Sequence, residues 1–448
     1  MIREVKEEVT NLLSDLIQID TTNPPGRETE AARCLAANLE EDGFQCELFE
    51  SASGGGNLVT RLRGAGERPN LLLLSHLDVV AADPDEWSVD PFGGVVKDGF
   101  VWGRGALDMK SMTAIEALVM KLLKRNGVKL KGDVILAATA DEEKGGEAGA
   151  GWIVKTHPEK VQAKYVINEG GGLGIPMEKR NVYTVQTAEK GILWLRIRAK
   201  GKPGHGSVPG LADNAVLRMG SVIKILGSHR SRIMLVPTVS EFIHGIAEKS
   251  ETAREALSAL LENLENGDEI LDMIALRDQG MAEQLRAMLR MTVSPTIVHG
   301  GVKENIIPSE CEAVFDCRVL PGQSPSDAMN EIKDLLKEVD IEKLEFETIQ
   351  ANDPSESPTA NPLYRAIEDV MKRFDPQGSV VPILLTGGTD SRFFRRTGSV
   401  CYGFQPMKAD MPYNEILKSV HGIDERISIE NLVFGASVLY NIVERLMT

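Results

Sequence analysis

The sequence is poor in the features that direct a chain to a membrane, a nucleic acid or an oxidising compartment. No window reaches the roughly 18 consecutive apolar residues of a membrane-spanning helix. The opening "MIREVKEEVTNLLSDLIQ" alternates charged and apolar groups at helical spacing, without the apolar centre and small-residue cleavage site of a signal peptide. A Lys/Arg stripe is also missing: 50 Lys and Arg stand against 66 Asp and Glu, a formal net charge of −16, with the two signs interspersed. That balance argues against nucleic acid or an anionic membrane as partner. Only five cysteines occur, Cys34, Cys46, Cys311, Cys317 and Cys401, odd in number, scattered and without CxxC spacing. Buried reduced thiols are expected, rather than disulfides or a cysteine metal site. These absences together predict a soluble cytoplasmic protein. Internal repeats and low-complexity tracts are lacking too.

What remains is ordinary globular composition, 42% hydrophobic and 26% charged, in 448 residues. Single cores stop growing at roughly 250–300 residues, so two or more domains are expected. After the first helix and the turn Asn23-Pro24-Pro25-Gly26, the segments "CELFES", "NLVTRLRG" and "NLLLLSHLDVV" read as strands. The third is apolar on both faces, as a strand covered by helices on each side should be. "GGVVKDGFVWGRGALDM" reads as a Gly-rich irregular stretch, "KSMTAIEALVMKLLKRNG" as a helix, and "DVILAATADEE" and "KYVINEGGG" as further strands. Alternation of strands and helices predicts an α/β fold with a mostly parallel sheet flanked by helices, whose sites gather at the carboxyl ends of strands.

From Thr184 to Ala199 the pattern is alternating strand, followed by a largely helical section up to Arg290. "AVFDCRVLPGQSPSDAMNEIKDLLKEV" then gives strand, Pro-Gly turn and helix, and "KLEFETIQ" another strand. This grouping predicts an α+β domain over 188–352, inserted between a first part of the main domain, 1–187, and its second part, 353–448.

The chemistry-bearing residues sit where the strands end. His76 and Asp78, at the end of "LLLLSHLDVV", share one face because side chains alternate along a strand. Alone, the pair reads equally well as a histidine bonded to its neighbour. Asp108 in "GRGALDMK", Glu142 and Glu143 closing "VILAATADEE", and Glu169 in "VINEGGG" have the same strand-end or pre-helix placement. Carboxylates concentrated at one sheet edge repel unless cations neutralise them. Histidine with Asp and Glu oxygens suits Zn²⁺, with Mn²⁺ or Co²⁺ in competition, and two ions bridged by one carboxylate would satisfy this many acids. The adjacent Glu142-Glu143 offers one ligand and one general base, and His421 in "KSVHGIDERISIENL" offers a last ligand. His205, in the Gly/Pro-rich "KGKPGHGSVPG", reads either as structural or as a group that reaches a ligand. Arg392, in "GGTDSRF", could clamp a substrate carboxylate or pair with a loop acid. His157, His229, His244 and His299 carry no comparable context.

The order "SHLDVV … GRGALDMK … DEE … NEGG … HG" resembles the co-catalytic zinc metallopeptidase and aminoacylase family, which includes aminoacylases, acetylornithine deacetylase, succinyl-diaminopimelate desuccinylase and glutamate carboxypeptidase. "GTDSRFFRRTGSVCYGFQPM" resembles its aminoacylase and N-acyl-amino-acid amidase branch. The resemblance implies a two-metal site with Asp108 bridging, His76 and Glu169 on one ion, and Glu143 and His421 on the other. Glu142 would be the base that activates a metal-bridging water, Asp78 the acid that orients His76, and Asp108–Met109 a cis peptide. It further implies a lid or dimerisation role for the inserted domain, with His205 at the scissile carbonyl and Asn305 and Gly388 at the substrate, and a homodimer. The expected reaction is hydrolysis of the amide bond of N-acyl amino acids or small peptides with a free carboxylate. A dipeptidase or carboxypeptidase is the alternative. A non-catalytic binding protein of the same fold would be expected to have lost a ligand or the base, and none is lost.

Overall fold

Period-two alternation in the run Leu71 to Leu74 decides how the main sheet is covered. In a computed structural model describing residues 2–178, 180–411 and 413–448, Leu71 and Leu73 face one apolar cluster and Leu72 and Leu74 another. The first cluster is built with the helices Ile2–Ile17, Lys110–Arg125 and Ile429–Met447, the second with Ala150–Thr156 and Ser391–Arg396. All four leucines are fully buried, each contributing about 1.5–3 kcal/mol. A strand covered on both faces has nowhere polar to go except its ends.

The chain divides into two units, one of residues 1–187, 357–383 and 389–448, the other of residues 188–356 and 384–388. In the first unit, strand Leu71–His76 lies between Val134–Thr139 and Tyr165–Asn168, parallel to both, and Val400–Gly403 continues the parallel run beside Tyr165–Asn168. Cys46–Glu50 and Gly56–Leu62 extend the sheet antiparallel on one side and Arg180–Glu189 on the other. The register pairs His76 with Thr139 and Leu73 with Ile167, so residues 76, 139 and 168 end at one sheet edge.

The stretch read as irregular contains a hairpin, Val95–Lys97 with Phe100–Trp102, to which Arg426–Ser428 adds a third strand. Three-residue strands amid glycines carry no periodic signal. Among the described residues, no helix is long and apolar enough to cross a membrane. All five cysteines are free, but only Cys311, Cys317 and Cys401 are buried, whereas Cys34 and Cys46 are half-buried.

The second unit is an antiparallel sheet in the order Thr292–Gly300, Glu310–Val319, Gly191–Lys200, Leu344–Asn352. The strand register breaks at Lys190, between Arg180–Glu189 and Gly191–Lys200. Helices Ala215–Ser228 and Pro325–Leu335 cover one face through Leu193, Leu195, Ile197, Phe315 and Ile332. Ser324 caps Pro325–Leu335 in a capping box with Asp327, which stops the preceding strand and starts the helix at a defined residue. Four longer helices between Pro237 and Leu289 fill the expected helical section.

Candidate metal centre

The parallel register brings the ends of three strands of the first unit, near His76, Glu142-Glu143 and Glu169, to one place, and two loops add Asp108 and His421. His76 is the last residue of its strand and 1% exposed. Its Nδ1 lies 2.9 Å from the Asp78 main-chain carbonyl, which, as acceptor, fixes the proton on Nδ1 and turns the Nε2 lone pair the other way. Nε2 lies 3.1 Å from Asp108 Oδ1 and 3.7 Å from Glu169 Oε2. Asp108 precedes helix Lys110–Arg125 across a cis peptide to Met109. His421, held in the left-handed region at φ 58°, places Nε2 3.0 Å from Asp108 Oδ2 and 3.4 Å from Glu143 Oε1.

Two groups of three donors result, His76–Asp108–Glu169 and Asp108–Glu143–His421, each with its donor atoms within 4.8 Å of one another and Asp108 common to both. Glu143 Oε1 is buried and has no hydrogen bond of acceptable geometry. An orphaned buried carboxylate oxygen, a fixed imidazole lone pair and a donor set without sulfur fit a pair of divalent cations.

The electrostatics describe a pocket that takes up positive charge. Burial, then the charge of Glu169, pushes the Glu142 carboxyl well above its usual range. Burial likewise raises Glu169 to about 7 against the opposing pull of His76. Asp108 and then Glu143 raise His421 to about 10. Burial disfavours a charged His76, but the surrounding Glu169, Asp108 and Asp78 outweigh it and hold its pKa well above normal. Asp108 is held low, because His421 and His76 outweigh its burial. Crowded acids that favour protonation, next to imidazoles that favour the charged form, are what cation binding relieves.

Asp78 lies against both His76 and the turn that carries the two glutamates. Its carboxylate is 3.5 Å from His76 Nδ1, while Oδ1 accepts from the Glu142 N–H at 3.0 Å and Oδ2 from the Glu143 N–H at 3.0 Å. Asn23 Nδ2 donates to Oδ2 at 3.0 Å. Asp78 therefore ties the turn carrying both glutamates to the end of the His76 strand.

The remaining expected residues stand outside both donor groups. Arg392 is 4% exposed, and its Nη1 donates to the Thr389 carbonyl at 2.9 Å and its Nη2 to the Gly145 carbonyl. Both terminal nitrogens are engaged by main chain, so this guanidinium braces the turn after Glu142-Glu143 instead of standing free for a substrate carboxylate. In the second unit, Gly204–His205 pairs with Ile306–Ile307, which brings His205 beside Asn305, whose carbonyl accepts from the Gly206 N–H at 2.8 Å. His205 is exposed. Its Nδ1 accepts from the Ser207 N–H at 3.2 Å, which leaves the ring proton on Nε2 as an outward donor. Gly388 lies on that unit's segment Leu384–Gly388. Sequence reasoning passed over Arg104 and Glu425, although both lie within motifs already noted, "GRGALDMK" and "HGIDER".

Residues 72–445 match the sequence profile of peptidase family M20/M25/M40. The chain belongs to that family and is accordingly a hydrolase of amide or peptide bonds, with a metal site of the class described above. It is 28% identical over 383 residues to the N-fatty-acyl-amino acid synthase/hydrolase PM20D1 of Mus musculus, covering 82% of this chain and 72% of that one. It is 26% identical over 434 residues to aminoacylase-1 of Sus scrofa, covering 95% and 92%. The fold matches a solved M20-family metallo-carboxypeptidase from Sulfolobus solfataricus with a TM-score of 0.73 at 19% identity, covering 98% of this chain and 99% of that one.

Proposed function

We propose that the protein hydrolyses the amide bond of N-acyl amino acids with a free carboxylate. The observation that carries this reading is the pair of donor groups sharing Asp108, with Glu142 beside them and belonging to neither. His76, Asp108 and Glu169 would hold one ion, and Asp108, Glu143 and His421 the other. Zinc is the proposed metal, with Mn²⁺ or Co²⁺ as competitors. When bound, such a pair acidifies a water and polarises an amide carbonyl. Glu142 takes the proton from the attacking water and returns it to the leaving amine. Burial first, then the charge of Glu169, raises the Glu142 carboxyl above its usual range, which makes it a stronger proton acceptor than an exposed glutamate. His205 donates from Nε2–H to the oxyanion, and Asn305 and Gly388 contact substrate. The names of the two relatives, an N-fatty-acyl-amino acid synthase/hydrolase and an aminoacylase, support this substrate class.

A homodimer is proposed through the second unit. Its edge strand Thr292–Gly300 leaves Ile297 and Val298 exposed, and the covering helix Ala215–Ser228 leaves Leu217 exposed. An apolar, unpaired edge is a template for a second copy. Free thiols at all five cysteines support a reducing, cytoplasmic setting.

The test is a panel of N-acyl amino acids with short and long acyl chains, set against dipeptides and against N-acyl amino-acid amides that lack the free carboxylate. It is run on zinc-reconstituted protein with and without chelator. Turnover of the N-acyl amino acids that chelation abolishes is the expected result. Preferential cleavage of dipeptides would move the assignment to a dipeptidase or carboxypeptidase.

A further inference from the structure

Two loops of the first unit supply Asp108 and His421, and one buried ion pair touches both. The three-stranded sheet sets Arg426 opposite Trp102, which carries Glu425 across to the turn that follows Trp102. The Gly103 N–H donates to the Glu425 carbonyl at 2.9 Å. Glu425 Oε1 then accepts from the N–H groups of Leu107 at 2.6 Å and Asp108 at 3.0 Å. Oε2 accepts from the Gly105 N–H at 3.2 Å and from Arg104 Nη1 at 2.7 Å. In the other direction, Arg104 Nη2 donates to the carbonyls of Gly422 at 2.9 Å and His421 at 3.3 Å. The guanidinium lies 5.3 Å from the Trp87 ring, and the two side chains are 3% and 0% exposed.

We propose that Arg104 and Glu425 form a positioning clamp, in which the carboxylate sets the turn that presents Asp108 and the guanidinium sets the backbone that presents His421. The inference rests on the reading of Asp108 and His421 as metal ligands. An ion pair kept only for stability has no need to distribute its hydrogen bonds this way, since replacing a buried pair by apolar residues is often neutral or stabilising. Here one partner gathers three main-chain N–H groups leading up to one ligand, and the other reaches two carbonyls at and beside another ligand. Neither side chain touches substrate or reacting atoms, so both act through the ligands they hold. The planar fork spans Glu425 with Nη1 and the two carbonyls with Nη2, and a single ammonium seated on Glu425 cannot also occupy the second nitrogen's place. That difference separates the arginine's positioning role from its charge.

The experiment uses Co²⁺ itself as the probe, titrated into metal-free full-length protein and followed by visible absorption and by competition with a chelator. Wild type is expected to take up two ions. Arg104→Lys keeps a cation beside Glu425 but gives up the reach to the His421 and Gly422 carbonyls. It is expected to bind one ion with wild-type affinity and the other about 10–100-fold more weakly, the scale of losing a ligand's support. Its one-equivalent spectrum should match that of His421→Ala. Glu425→Gln, which disturbs the turn before the shared Asp108, should weaken both ions. Circular dichroism of the metal-free forms reports folding, and if Glu425→Gln does not fold, Arg104→Lys carries the test alone. Two ions bound by folded Arg104→Lys with wild-type affinity and spectrum overturn the clamp, whatever its melting temperature. Fewer than two ions bound by wild type overturn the metal-pair reading, and the clamp with it.

Discussion

His76 in the first unit and His205 in the second were both expected to serve the site, and they are held in opposite ways. His76 is buried, its Nδ1 bonded to the Asp78 carbonyl, while Asp78 in turn binds the backbone of Glu142 and Glu143. His205 is exposed, tied through Nδ1 to Ser207 two residues on, with only a two-residue strand pair beneath it. The same side chain is thus fixed as a lone-pair donor in one place and left as an N–H donor in the other. Substitutions in the two units should therefore fail in different measurements, metal affinity for the first and turnover for the second. Glu142, which lies among the ligands without joining either group, is the exception.

Glu142 is expected to show the largest effect. Replacing it by alanine removes the proton carrier but no ligand, so kcat should fall about 10²–10⁴-fold, the range of general acid–base catalysis, with two metal ions still bound. Near-normal turnover in a pure preparation of the variant would falsify its assigned role. His205→Ala comes next. Loss of one oxyanion donor costs about 10²–10³ in rate, and metal affinity should match wild type, because His205 belongs to neither donor group. A fall in metal content in that variant would erase the distinction between the two histidines.

Asp78→Ala should act chiefly on binding, with affinity or activity reduced about 10–100-fold. The substitution removes the acceptor of the Glu142 and Glu143 N–H groups and one of the two acceptors of the Asn23 amide, so chelator competition, more than the rate at saturating metal, should register it. Unchanged chelator resistance would show that the His76 contact to the Asp78 carbonyl suffices alone. That contact survives in alanine, because it comes from the main chain.

The candidate donors at strand ends were legible in the sequence because strand ends are legible, whereas the division of donors between two ions was implied only by the family resemblance. An apolar run followed at once by His76, Glu142-Glu143 or Glu169 marks a strand edge, and parallel strands bring such edges together. Arg104 and Glu425 could not be found in this way, since they meet across 321 positions through strands of three residues each. Arg392 was legible as a residue near the site but not as a buried one. Its engagement with the carbonyls of Thr389 and Gly145 depends on how the 142–146 turn folds back, which no local spacing encodes. The break at Lys190, where one strand ends and the next begins, was likewise hidden inside a continuous alternating pattern from 184 to 199.

The smallest effect is expected from the second unit's charges, which resemble the Arg104–Glu425 pair only in composition. Arg196, Arg198 and Lys200 stand on one face of strand Gly191–Lys200. Arg198 lies 3.2 Å from Glu312 and 2.7 Å from Glu347, and Arg196 lies 3.1 Å from Glu347. Such cross-strand pairs favour the register, but water and salt compete for every one of them. Arg104 pairs with Glu425 and with two main-chain carbonyls away from solvent, whereas Arg198 is partly exposed and paired with side chains. Arg198→Ala should therefore leave kcat and Co²⁺ uptake unchanged and lower Tm by no more than about 2 °C, a difference that shrinks further in 1 M salt because the Debye length there is only about 3 Å. A larger drop that persists at high salt would mean that the ladder sets the register of the second unit's sheet, and the contrast between the two kinds of Arg–Glu pair would then lie in partner type and no longer in burial.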